Sequence, residues 1–252
     1  MKILIYGFLV IKLSLNVTKT NFVIFHTPQK ELPFIPRLYI NKILIQKENY
    51  IKSLGINLDS NLHWKYHILQ VSKKISKGIG VLTKIRHYIN IHVLTQLCYT
   101  LIFPFLTHGV VVWGNTYNSL LKPLITLQKK AVRIMTFSNF REHSSPLFKM
   151  LNILKFPDLI SYRIALFMYD YYTDRLPRAF SNFFEKVKNR HNYNTRLAIR
   201  KSYSLPSVRT KYGQLSLRFT GVKIWNSLNE EYKLLPKWSF KKAIQSDFVI
   251  LY

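Results

Sequence analysis

Residues 62–90, LHWKYHILQVSKKISKGIGVLTKIRHYIN, decide how this chain folds. Trp64, Ile68, Val71, Ile75, Ile79, Leu82 and Ile85 recur at intervals of three and four, the spacing that gathers side chains on one face of an α-helix. Lys73, Lys77 and Lys84 fall on the opposite side, with no acid in the stretch. The pattern predicts a long amphipathic helix with an apolar face and a basic stripe.

Upstream the period changes. LSLNV, NFVIFH, a connector with Pro33 and Pro36, LYINKILI and YIKSLGINL read as short strands broken by turns, forming hairpins on one small sheet. Ile3 to Ile11 is apolar behind Lys2, but no small-residue cleavage pattern follows, so the stretch reads as the edge of a domain. Every window of about 18 residues meets a charge or a proline, and no transmembrane segment is expected.

Downstream, Val93 to Trp113 is apolar, with Pro104 and Gly109 interrupting its helices. Leu120 to Met135 predicts a second amphipathic helix. Leu120, Leu124, Leu127, Ala131 and Met135 line one face, and Lys122, Lys129, Lys130 and Arg133 the other. Pro146–Leu154 and Pro157–Tyr172 read as further helices, the second opened by Pro157 and Asp158. From Lys186 to Lys211 come eight cations and no acid, interleaved with His191, Tyr193, Tyr203 and Tyr212, which reads as a loop-rich cationic arm. Phe219–Leu228 around Trp225 and a short helix from Ser239 close the chain. The fold expected is α+β, mostly α, in four parts: a β-containing region 1–61, helical regions 62–114 and 115–185, and a basic arm with a terminal helix, 186–252.

Composition narrows the function. Lys and Arg number 38 against 11 Asp and Glu, a formal charge of +27, which points to an acidic partner. With 48% hydrophobic and 15% aromatic residues, the chain is too apolar for a disordered basic tail. Eight glycines form no phosphate-cradling motif of the P-loop or dinucleotide type. Cys98 stands alone, so there is no disulfide partner and no zinc knuckle. It reads as a buried structural thiol in an intracellular protein of the nucleus or cytoplasm.

No constellation of residues supports chemistry. Metal-dependent phosphoryl transfer needs convergent carboxylates, and the acids here are scattered. Asp170 and Asp174 share a helix face but read as a solvated edge, and the adjacent Glu230 and Glu231 point apart. His63 and His67 have the spacing of zinc ligands without the HExxH context, so they read as a pair packing on Trp64. No catalytic residue, metal ligand or cofactor is assigned. The basic stripes carry the positive reading: Lys73, Lys77, Lys84, Lys129, Lys130 and Arg133 are expected to contact phosphates of an RNA or DNA duplex. Arg190, Arg196, Arg200 and Lys201 form a flexible second set. Tyr and Phe among the cations add stacking on unpaired bases.

Several strings also carry a resemblance: KLSLNVTKTNFVIF (12–25), YIKSLGINLDSNLHWKYHI (50–68), LCYTLIFPFLTHGVVVWGNTY (97–117), LITLQKKAVRIMTF (124–137), HSSPLFKMLNILKFPDLISY (143–162), LPRAFSNFF (176–184), HNYNTR (191–196) and GVKIWNSL (221–228). In order and spacing the chain resembles the carboxyl-terminal part of reverse transcriptases of LINE-type (non-LTR) retrotransposons, the jockey-like branch especially. The resemblance implies that LSLNVTKT follows the catalytic Asp-Asp hairpin of the palm, with Lys19 near the incoming nucleotide. It also implies that KSLGINLD, around Leu54 and Gly55, is a hairpin gripping the primer end. The helix from Leu62 would open a thumb lying on an RNA–DNA hybrid, and the region from Asn115 would be a nucleic-acid-binding extension. The family is an RNA-directed DNA polymerase that needs Mg2+, whose Asp-Asp box would precede residue 12, where eleven residues include no acid. The expectation is a truncated, reverse-transcriptase-like fragment that binds nucleic acid nonspecifically without polymerising. Two other readings stay open: the end of an active polymerase whose upstream exon supplies the carboxylates, and a cationic membrane-surface protein using the apolar stretch Met1–Ile11.

Overall fold

A computed structural model describes residues 16–27, 29, 34–187, 202–250 and 252. The chain divides into two compact units, Met1–His67 and Ile68–Tyr252.

In the first unit, β1 (Asn21–Phe22), β2 (Leu38–Ile40) and β3 (Ile43–Lys47) form one sheet in the order β1-β3-β2. A separate hairpin pairs β4 (Tyr50–Ser53) with β5 (Ile56–Asp59). The expected single hairpin sheet is therefore two sheets, and β1 runs parallel to β3 instead of forming a hairpin. Alternating hydrophobicity marks a strand but not its neighbour, which is why the pairing was not readable. Val17, expected in a strand, lies in the 3-10 turn Val17–Lys19 that Asn16 caps. Both antiparallel pairs close on two-residue turns with left-handed backbone: Asn41 (φ 48°) and Lys42 (φ 64°), then Leu54 (φ 47°) and Gly55 (φ 85°). Two positive φ angles are what a tight hairpin turn requires to follow strand twist. Glycine meets that demand at 55, whereas Leu54 meets it with a strained backbone.

Asp59 then redirects the chain. Its Oδ1 accepts from the amides of Asn61 (3.1 Å) and His63 (2.8 Å), and its Oδ2 from that of Trp64 (3.0 Å). These bonds hold left-handed Leu62 and Trp64 ahead of α1 (Lys65–Ile85). The His67 ring sits edge-on to Trp64, as expected, and its Nδ1 accepts from the Asn57 amide at 3.3 Å.

The second unit is helical. Ile68, Val71, Ile75, Ile79 and Leu82 of α1 are buried, as the period predicts. Gly78 faces the turn after α2 (Ile91–Leu101), where a Cβ would lie 3.1 Å from the Leu101 carbonyl oxygen, so glycine permits this close approach. The apolar run breaks at Pro104 and Gly109 into α2, α3 (Phe103–Thr107) and α4 (Val110–Trp113).

Next come α5 (Asn118–Met135), α6 (Ser144–Met150) and α7 (Phe156–Tyr172). The buried face of α5 centres on Leu121, Leu124, Gln128, Ala131, Val132 and Met135, rotated by about one residue from the expected face. Gln128, just before Lys129 and Lys130, is therefore in the core. Helix α7 is buried on most sides, through Phe156, Leu159, Ile160, Ile164, Ala165, Leu166, Met168 and Tyr169, as a central helix must be. The chain closes with α8 (Lys211–Gln214), α9 (Leu217–Ser227), α10 (Glu230–Leu234) and α11 (Lys237–Ile250), of which α9 and α11 pack against α7. The terminal helix is longer than the sequence led us to expect. Asp170 is no solvated edge either: both of its carboxylate oxygens accept from Lys237 Nζ, at 2.6 and 2.8 Å. That partner lies too far along the chain for helical spacing to reveal.

Candidate nucleic-acid interface

Helical geometry places Lys73, Lys77 and Lys84 within an arc of about 40° along about 16 Å of α1. All three are exposed, opposite the buried stripe. Lys65 and Lys74, which the sequence reading passed over, are exposed on the same helix, and the Lys74 ammonium lies 5.2 Å from the centre of the Phe105 ring.

On α5, Lys122, Lys129 and Lys130 are exposed while Gln128 anchors the other side. Arg133 is half-buried. Its Nε and one terminal nitrogen donate to the Glu142 carbonyl at 2.9 and 2.7 Å, so part of this guanidinium holds the loop that follows the helix. Lys155 extends the basic surface. Its ammonium sits 3.9 Å from the centre of the Tyr252 ring, and its pKa is held below the usual lysine value by burial, with Asp158 opposing and the Lys129 charge adding to the effect. Among the described residues the ion pairs join Lys233 to Glu230 and Lys237 to Asp170, and neither involves a lysine of the two stripes. A face that holds cations without acids keeps its field for an outside anion.

In the first unit, Lys19 is exposed at the end of its 3-10 turn and lines a cleft of about 350 Å3 with Thr18, Asn21, Gln46 and Glu48. Leu54 is 91% exposed at the tip of the β4–β5 hairpin beside Gly55. A strained residue presenting a large apolar side chain to solvent is a feature that local stability does not explain. Arg190, Arg196, Arg200 and Lys201 lie outside the described residues.

The carboxylates of the described residues do not gather into a site for a divalent cation. Among the described residues no group of three or more His, Cys, Asp or Glu comes together to hold a metal. Asp59 is spent on backbone amides and Asp170 on Lys237. Asp158 accepts from the Tyr252 hydroxyl at 2.7 Å, Asp247 from the Tyr232 hydroxyl at 3.1 Å, and Glu230 from buried Lys233 at 2.8 Å. Both tyrosines are pushed above the usual phenol pKa, Tyr252 mainly by burial and Tyr232 mainly by its bond to Asp247. Cys98 is buried and its thiol is pushed up to about 12 by burial, which fits a structural thiol.

No family model matches the chain, and no solved structure matches it. Over 170 residues, 66% of this chain, it is 24% identical to the "Probable RNA-directed DNA polymerase from transposon X-element" of Drosophila melanogaster. The chain spans 18% of that protein's length. The match supports a distant relation to a transposon reverse transcriptase.

Proposed function

We propose that this chain is the part of a LINE-type, reverse-transcriptase-like protein that grips nucleic acid, holding a duplex nonspecifically through the basic faces of α1 and α5. In this reading residues 1–61 correspond to the late palm and primer-grip hairpin, 62–114 to the thumb, and 115–185 with 186–252 to a basic carboxyl-terminal extension. The observation that carries the proposal is the exposure of Lys73, Lys77, Lys84, Lys129 and Lys130 on two helical faces, with no ion pair to an acid among the described residues. Each such lysine neutralises a phosphate and releases counterions, a contribution that needs no base contact and so is blind to sequence.

Lys19, in its cleft, is proposed to lie beside the incoming nucleotide, and the Leu54–Gly55 tip against the primer end. The carboxylates of the described residues are assigned no metal site in this reading. The test is equilibrium binding of the purified chain to an RNA–DNA hybrid, to a DNA duplex of unrelated sequence and to anionic vesicles. The expected result is comparable binding to both duplexes and weaker binding to vesicles. Binding to vesicles without binding to duplex would overturn the proposal in favour of a membrane-surface protein. Magnesium-dependent primer extension by the chain alone would overturn the assignment of no metal site.

A further inference from the structure

The carboxyl-terminal ends of α1 and α5 come together. Lys84 ends the α1 stripe, and Arg86, His87 and Tyr88 follow the helix. On α5, Lys130 and Arg133 share a face near the helix end, and Phe137 follows two residues beyond Met135, the last helical residue. The two ends meet at Phe137: the Arg86 guanidinium lies 5.1 Å from the centre of its ring, and the His87 ring stands edge-on at 5.5 Å.

Three aromatic rings are left open here. Phe137 is 53% exposed, Tyr88 85% and Phe140 80%. The loop that carries two of them is tightly pinned. Ser138 N donates to the Arg133 carbonyl at 3.0 Å, Arg133 grips the Glu142 carbonyl, Glu142 N donates to Asn139 O at 3.1 Å, and Asn139 N donates to Glu142 Oε2 at 3.2 Å. Phe140 thus sits on a closed turn from Asn139 to Glu142, and Phe137 is held with left-handed backbone (φ 55°). Contact with Arg86 accounts for Phe137 as packing, but it leaves Tyr88 and Phe140 unexplained. Exposed rings on and beside a built turn, with Arg86 against Phe137, with Lys84, Lys130, Arg133 and Arg141 close in sequence and with Glu142 as the one acid in the loop, mark a binding surface.

We infer that this cluster is a stacking platform for unpaired bases: single-stranded nucleic acid leaves the duplex held by the lysine stripes and lays its bases on Tyr88, Phe137 and Phe140. The inference rests on the proposed nucleic-acid grip and deepens it. Every base has a π-face, so the platform is tolerant of sequence, and the cations beside it neutralise the phosphates between stacked bases. An acidic protein would satisfy the charges but would not need the rings, and a lipid surface would use the rings without distinguishing nucleobases.

The test compares the wild-type chain with a Tyr88→Ala/Phe140→Ala variant, whose replaced side chains are largely exposed, and with a separate Phe137→Asn variant, because asparagine accepts the left-handed backbone. Each protein is titrated with a thymidine oligonucleotide, an abasic oligonucleotide of the same length and charge, and a blunt duplex, with melting temperature as the check on folding. The expected result is at least about a tenfold loss of affinity for the thymidine oligonucleotide in each variant, with abasic and duplex affinities within about twofold of wild type. Equal wild-type affinity for thymidine and abasic strands would overturn the platform while leaving the duplex grip intact. Anionic-vesicle binding that falls with the same substitutions would overturn it in favour of a membrane contact. Failure of the wild-type chain to bind the duplex would strike the proposed function itself.

Discussion

Replacing Gln128 with methionine is expected to destabilise the helical unit by about 3 kcal/mol without altering the charge of its surface. Gln128 is 3% exposed on α5. Its Nε2 donates to the Leu154 carbonyl at 2.8 Å, and its Oε1 accepts from the Phe156 amide at 2.7 Å. Phe156 opens α7, so this amide is one of the donors that a helix start leaves without a partner inside the helix. Methionine keeps most of the volume but leaves one buried carbonyl and one buried amide unmade, at about 1–3 kcal/mol each. A domain of ordinary stability has only about 5–15 kcal/mol in total. The assay is urea unfolding followed by tryptophan fluorescence, because Trp113 packs 5.9 Å from Phe156, ring centre to ring centre, and reports on this region. The midpoint should fall with the slope unchanged. Gln128→Glu adds a check on sign: burial raises the folded pKa of the new carboxyl above its unfolded value, so the variant should match wild type best at acid pH and lose ground as pH rises toward 7. A methionine variant within about 0.5 kcal/mol of wild type would refute the clip.

Two further outcomes test other features. Cys98, with its thiol pushed up to about 12 and its side chain buried, should resist thiol reagents at pH 8 in the folded chain and react fully in denaturant; rapid modification of the native protein would contradict the packing of α2. Leu54→Asn should stabilise the β4–β5 hairpin by about 1 kcal/mol, because asparagine adopts the left-handed backbone with less strain. Slower amide exchange across Tyr50–Asp59 would show the gain, and faster exchange would mean that the leucine side chain contributes more than its exposure implies.

The helical part of the fold was largely legible, because period and punctuation are local. The buried residues of α1 follow directly from their three-and-four spacing, and the breaks at Pro104 and Gly109 fall where those residues stand. What could not be read depends on partners distant in sequence. Alternation in 38–47 gave strands but not the parallel neighbour Asn21–Phe22. Asp170 looked solvated because Lys237 comes to it from the terminal helix. Gln128 was not picked out from the sequence, and only the rotation of α5 shows that it faces the core.

For the candidate interface, the lysines of both stripes were named from spacing and are exposed. The half-buried position of Arg133 and its grip on Glu142 were not foreseen, because a backbone carbonyl nine residues on leaves no trace in the sequence. The open rings of Tyr88, Phe137 and Phe140 were equally hidden, since in an apolar chain most aromatics belong to the core.

The most direct test of the account is the salt dependence of duplex binding, with and without the two stripes. Log affinity for an RNA–DNA hybrid should fall linearly with log salt. Reversing Lys73, Lys77, Lys84, Lys129 and Lys130 to glutamate should flatten the slope by about 4.5, the value for five phosphate contacts. An unchanged slope in a variant that still folds would contradict the claim that these two helical faces hold the nucleic acid.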